Sequence, residues 1–202
     1  MRIALIQADL HIHTVYSSDS LIQPKTLVDM LSAHSFIKVA AVTDHDSVRG
    51  CKATVELASA YPDILIIPGV EISTQQGDLL VLGTEELPPK PWSPEAVVDY
   101  AKSIGAVTVV AHPFRLMYSM GDLARNYKFD AVEVLNGNSS AAENNEAKAL
   151  AKSMGLPGTA GSDAHQVSEL FSVNTKIDAS LSVEGILKAI KRGSVSAQVT
   201  RG

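Results

Sequence analysis

Residues Ile64-Leu65-Ile66-Ile67-Pro68-Gly69-Val70-Glu71-Ile72 form an apolar run of strand length that carries one carboxylate near its end. A run this apolar suits a strand covered on both faces, as in a parallel sheet clothed by helices. A lone buried carboxylate is costly, whereas one shared between cations is stabilised. The same pattern recurs on either side. Candidate strands lie at Ile3–His13, Val39–Thr43, Ile64–Ile72, Leu79–Gly83, Ala106–Ala111, Ala131–Leu135 and Gly158–Gly161, with a late one near Ser172–Ile177. Nearly all run into a polar residue able to bind metal: His11 and His13, Asp44 and His45, Glu71, His112, then Asp163 and His165. In a parallel barrel all strand C-termini open on one face, where active sites sit. Five of the six histidines fall at these strand ends, and only His34 does not.

Helices fill the intervals. Ser93, Pro94 and Glu95 read as a cap and first turn, Gly105 closes that helix, and Val97, Val98, Ala101 and Ile104 line one face. Two more helices are expected over Asn138–Met154 and Ser182–Arg192, each closed by a glycine, Gly155 and Gly193. The proline-bearing loop Glu85–Pro94 is too short to mark a domain boundary, so residues 1–202 read as one unit.

With 202 residues, 46% hydrophobic and 19% charged, the chain is of ordinary globular composition. A formal charge of -5 gives no global field for nucleic acid. Cys51 is the only cysteine, which excludes an intrachain disulfide and a cysteine-based zinc site. The short apolar stretch from Arg2 to Leu10 meets Asp9, His11 and His13 at once, unlike a signal peptide, and no run reaches membrane-spanning length. A cytoplasmic protein is expected.

The histidine pair His11-x-His13 places two imidazoles on one face of an extended strand, and Asp163-x-His165 repeats that geometry. Gly161 lets the backbone come close to whatever the second pair holds. Thr43-Asp44-His45-Asp46 crowds titratable groups after an apolar strand, reading either as ligands or as an Asp-rich turn. Arg115 reads as a phosphate anchor or a solvated loop arginine. Asn136 points into the site or serves a turn.

Taken in order, Asp9-Leu10-His11-Ile12-His13-Thr14, Thr43-Asp44-His45, Gly69-Val70-Glu71, Ala111-His112-Pro113 and Gly161-Ser162-Asp163-Ala164-His165 resemble the polymerase-and-histidinol-phosphatase (PHP) family. The resemblance spans residues 9 to about 165. It implies a distorted seven-stranded (βα)7 TIM-like barrel, two to three divalent ions (Zn, Mn or Fe, with Mg possible) and phosphoester hydrolysis. It further implies His11, His13, Glu71 and Asp163 around one ion, Glu71 bridging to a second held by His112, and Asp19, His45 and His165 around a third. Asp44 and Asp9 would orient ligands, Asp44 also entering as a candidate catalytic group beside Arg115. Members commonly carry a histidine where this chain has Asp78, whose harder oxygen donor suits manganese or magnesium better than zinc. The expected partner is a small phosphorylated metabolite or nucleotide. A nuclease of short nucleic acid, or an accessory module with decayed catalysis, are the alternatives.

Overall fold

A computed structural model describes residues 4–200, so Ile3 of the expected first strand and Arg2 of the N-terminal apolar stretch lie outside the described residues. Among the described residues nine strands form one mixed sheet in the order β7-β6-β5-β4-β3-β2-β1-β8-β9. In chain order these are β1 Ala4–Ile12, α1 Pro24–Ala33, β2 Ile37–Val42, α2 Arg49–Ala58, β3 Leu65–Thr74 and β4 Gly77–Leu82. There follow α3 Pro94–Ile104, β5 Val107–Val110, β6 Ala131–Asn136, α4 Ala141–Met154, β7 Gly158–Gly161, β8 Val173–Ala179, α5 Val183–Lys191 and β9 Val195–Val199.

The α/β class stands, and the expected count of seven strands is corrected to nine. Strand β4 runs antiparallel to β3 and β5, and β8 is antiparallel to β1 and β9. The reversal at β4 comes from a tight hairpin, with Thr74 paired to Gly77. Gly77 sits at φ +134, where a Cβ would stand 2.5 Å from the Met120 backbone nitrogen. The sheet nearly closes at β7: Asp163 N–H donates to His11 O at 2.7 Å and His13 N–H to Ala164 O at 3.0 Å. Gly161 permits that closure, since a Cβ there would fall 2.2 Å from His11 Cβ. Its close approach is thus to β1.

Alternate residues of the strands point inward, among them Ala8, Leu10, Val39, Ala41, Ile67, Leu80, Leu82, Val107 and Val109. Ile186 and Ile190 of α5 pack into the same cluster. A register irregularity in β1 between Asp9 and Ile12 shifts the alternation, so His11 and His13 face inward above Leu10 while Ile12 packs outward against α1.

Helix ends match their chemistry. Ser93 accepts from Ala96 N–H, and Gly105 closes α3 at φ 77. Val97 and Ala101 are buried as expected, but Ile104 is exposed at the last turn. Helix α4 starts at Ala141, not Asn138, because Ser140 and Glu143 form a capping box there. No described helix is long and apolar enough to cross a membrane.

Candidate metal centre

Directly above the apolar interior, the inward positions turn polar. His11 and His13 arrive from β1, Glu71 from β3 and Glu133 from β6, while His112 and Asp163 follow β5 and β7. Asp78 comes from the start of β4, which reaches the same mouth because that strand runs the other way. His112 and Asp163 both take positive φ, 25° and 55°. Strain of this kind, about 1–3 kcal/mol per residue, collects where a site over-determines its residues.

Glu71 Oε2 and Asp163 Oδ1 both approach the paired Nε2 atoms of His11 and His13. His13 Nε2 lies 3.1 Å from His11 Nε2, 3.2 Å from Glu71 Oε2 and 3.1 Å from Asp163 Oδ1. His11 Nε2 lies 3.3 Å from Glu71 Oε2 and 3.4 Å from Asp163 Oδ1. Nitrogen and oxygen ligands of a tetrahedral divalent ion stand roughly 3.3 Å apart. Glu71 divides its oxygens, since Oε1 meets His112 Nε2 at 3.0 Å. His45 Nδ1 stands 3.1 Å from Glu71 Oε2 but lacks hydrogen-bond alignment, and His112 Nδ1 also has no partner. On the outer side, Asp19 Oδ2 lies 3.3 Å from His45 Nε2 and 3.4 Å from His165 Nε2. Three donor groups result: His11, His13 and Asp163; His11, Glu71 and His112; His13, His45 and His165.

Neighbouring groups set the tautomers. His11 Nδ1–H donates to Glu133 Oε1 at 3.0 Å, and His165 Nδ1–H to the Asp163 carbonyl at 2.8 Å. Ser17 Oγ gives its proton to Asp44 Oδ1 at 3.0 Å, which leaves its lone pairs for His45 N–H at 2.9 Å and His13 Nδ1–H at 3.1 Å. In its neutral form each of these rings therefore presents Nε2 as a lone pair to the interior.

Charge makes the same demand. Asp9, Asp44, Glu71, Asp78, Glu133 and Asp163 are each at most 3% exposed, and the permanent cation beside them is Arg115. Burial would raise Glu71, yet His11, His112 and His13 outweigh it and hold its carboxyl well below the usual range. Asp163, buried likewise, is lowered by His11 and His13. Burial, then the Glu71 charge, pushes Asp78 up to about 7. A cluster of buried carboxylates and inward lone pairs fits divalent cations.

Not every expected residue joins the donor groups. Asp44 lies behind His13, its carboxylate accepting from Thr14 N–H at 2.6 Å, Thr14 Oγ1 at 2.8 Å and Ser17. A Cβ on Gly50 would fall 1.8 Å from Asp44 Oδ2, so α2 packs closely against that carboxylate, in the orienting position that the family resemblance implies for it. Asp9 acts on the backbone: it accepts from Ser162 N–H at 2.8 Å and Phe171 N–H at 3.2 Å. Asp78 shares the interior face with Glu71 but belongs to none of the three donor groups. His34 closes α1 and accepts from Ile37 N–H at 3.0 Å, apart from the site. Arg115 and Asn136 do reach the centre. Arg115 Nη2 contacts Asp163 Oδ2 and lies 3.1 Å from Asn136 Oδ1, while Asn136 Nδ2 donates to Glu133 Oε2 at 3.0 Å and Asp163 Oδ2 at 3.2 Å.

Sequence reasoning missed Glu133 and Ser17. Glu133 interrupts the apolar run Ala131–Leu135 as Glu71 interrupts its own, and the same argument applied there would have found it. Ser17 carries no comparable signal.

Comparison with known proteins places the chain among relatives of one kind. A family model described as PHP domain matches residues 9–146, and one described as PHP-associated matches residues 141–195. An uncharacterised protein of Methanocaldococcus jannaschii is 32% identical over 142 residues, covering 65% of this chain and 82% of that protein. A Bacteroides vulgatus two-domain protein, described as containing a predicted PHP-like metal-dependent phosphoesterase, superposes with a TM-score of 0.81 at 22% identity. That match covers 98% of this chain, which spans 65% of the two-domain protein's length. PsfC from Pseudomonas syringae superposes at 0.71 with 20% identity, over 98% of this chain and 93% of its own. At these identities the two structures speak for the fold.

Proposed function

The chain belongs to the PHP domain family, and from that premise we propose that it hydrolyses a phosphate ester of a small metabolite or nucleotide. The observation that carries the reading is the donor set around the His11–His13 pair, where Glu71 Oε2 and Asp163 Oδ1 each lie 3.1–3.4 Å from both Nε2 atoms and Arg115 takes the far oxygen of the same Asp163. His11, His13, Glu71 and Asp163 would hold one divalent ion. Glu71 and His112, with Asp78 close by, would hold a second, and Asp19, His45 and His165 a third. Zn, Mn or Fe suit this mixture of imidazole and carboxylate, and Mg suits its oxygen-rich side. When bound, such ions supply a water acidified towards neutral pH and an electrophilic pull on a phosphoryl oxygen.

The remaining work falls to the chain. Asp163 and Asn136 hold Nη2 of Arg115, so its other N–H groups can meet phosphate oxygens in the planar fork that suits them. Asn136 ties this anchor to Glu133, which fixes the His11 ring. Ser17 and Asp44 do the same for His13. Residues 1–202 would act as one unit, in the cytoplasm. A screen of metal-loaded protein against an aryl phosphate, a mononucleotide and a labelled oligonucleotide tests the reading. Release of phosphate from either small ester supports it, cleavage of the oligonucleotide alone favours a nuclease, and no turnover of any rejects an active hydrolase.

A further inference from the structure

Residues 113–120 lead away from the metal centre and return to it. Arg115 N–H donates to His112 O at 3.1 Å, Ser119 Oγ to Arg115 O at 2.6 Å, and Gly121 N–H to Pro113 O at 2.7 Å. The far arm is tied to the centre by Asp78 N–H, which donates to Tyr118 O at 3.0 Å. The base of the loop is thus pinned between His112 and Asp78. Its tip carries Leu116, Met117 and Tyr118, exposed by 93%, 58% and 68%, the one run of three consecutive exposed large apolar residues among the described residues. Tyr118 holds φ +60, so strain adds to this exposure. Single exposed apolar side chains need no explanation; a contiguous set beside a polar site does. Across the mouth, Tyr16 and Leu21 are exposed as well, and Leu21 N–H donates to His165 O at 2.9 Å.

We infer that Leu116, Met117 and Tyr118 form an apolar lip that receives the alcohol portion of the ester, and that this portion is aryl or alkyl. The inference rests on the phosphoesterase reading above. It follows from position: Leu116 adjoins the arginine that faces the phosphate, so a group esterified to that phosphate leaves the centre beside the lip. A sugar or short polyol would leave these side chains as wet as before and gain nothing from them. An aryl or hexyl group would remove apolar surface from water on both partners, and burying about 50–60 Å² corresponds to about tenfold in affinity.

The test uses non-hydrolysable probes on the metal-loaded protein: calorimetric binding of phenylphosphonate, hexylphosphonate and 2-hydroxyethylphosphonate. Wild type should bind the first two about tenfold more tightly than the third. In the double variant Leu116→Ser, Met117→Ser that preference should collapse to within about twofold, with metal content matching wild type as the check on folding. Equal binding of all three by wild type, binding of none, or a variant that keeps the preference overturns the lip. So does a wild-type dimer that the variant dissociates without any change in preference, because the run would then be a contact between copies. Turnover of phenyl phosphate is scored separately. Selective binding without turnover rejects the phosphoesterase reading and keeps the lip, and turnover without selectivity does the reverse.

Discussion

Replacing Ser17 by alanine removes one oxygen that joins three groups. Its hydroxyl donates to Asp44 at 3.0 Å and accepts from His45 N–H at 2.9 Å and His13 Nδ1–H at 3.1 Å. Ser17 is buried and the alanine methyl fills part of its space, so water replaces these bonds poorly. Asp44 keeps both contacts to Thr14, so the acceptor side suffers least. The two donors are left unpaired at about 1–3 kcal/mol each, which places the stability loss at about 2–6 kcal/mol. The informative effect is on metal. Without an acceptor at Nδ1, nothing holds the His13 proton on that nitrogen, and Nε2 loses its fixed direction. Partners of this kind typically contribute about 10–100-fold in metal affinity, or about 1.4–2.7 kcal/mol. The assay is calorimetric titration of metal-free protein with zinc and manganese at fixed pH, with exposed Ser18→Ala as control. Wild-type affinity in a folded Ser17→Ala variant would refute the tautomer argument.

Arg115→Ala should lower turnover at least about tenfold while metal content stays at the wild-type level, since the guanidinium meets Asp163 Oδ2 and not the oxygen shared with His11 and His13; an unchanged rate returns Arg115 to a structural role. Asp78→His should raise zinc affinity at the Glu71–His112 group and shift the activating metal from manganese towards zinc, because nitrogen replaces a harder oxygen. Superimposable titrations of that variant and wild type would mean that Asp78 does not ligate. In the metal-free protein, burial opposes protonation of His13, but hydrogen bonds to Asp163 and Glu71 raise it to about 9. His13 is then protonated at pH 7, and metal must displace that proton, so apparent affinity rises with pH up to about 9. Titration in buffers of different ionisation enthalpy should show at least one proton released on loading at pH 7, and zero release contradicts it.

Much of the centre was legible because burial makes polar residues conspicuous. Glu71, His11 and His112 each interrupt or end an apolar run, and physical cost alone singled them out. The parallel core from β1 to β3 could be read for the same reason. Direction could not. Gly77-Asp78-Leu79-Leu80 looks the same in either sense, and the hairpin that reverses β4 depends on Gly77 lying against the backbone of residues 119–120. Strand β9 escaped because none of its residues is buried and its half-buried and exposed positions do not alternate regularly, which leaves no period-two signal. The start of α4 was misread although Ser140-x-x-Glu143 marks it, since the Asn138 side chain is drawn instead to the Asp163 carbonyl at 2.6 Å. Asp44 reads both as a ligand-orienting group and as a candidate catalytic one, because a strand-end carboxylate and a rear support have the same sequence signature. Only contacts to Thr14 and Ser17, which need the folded β1–α1 loop, tell them apart.

The central claim is that this mouth gathers several divalent cations. Elemental analysis of the protein as purified, and after loading with manganese or zinc and removal of excess metal, measures it directly. More than one ion per chain is expected, because Glu71 offers one oxygen to His11 and His13 and the other to His112. No more than trace metal after loading would contradict it, and would leave the buried carboxylates of Glu71 and Asp163 without the cations that their donor groups are arranged to hold.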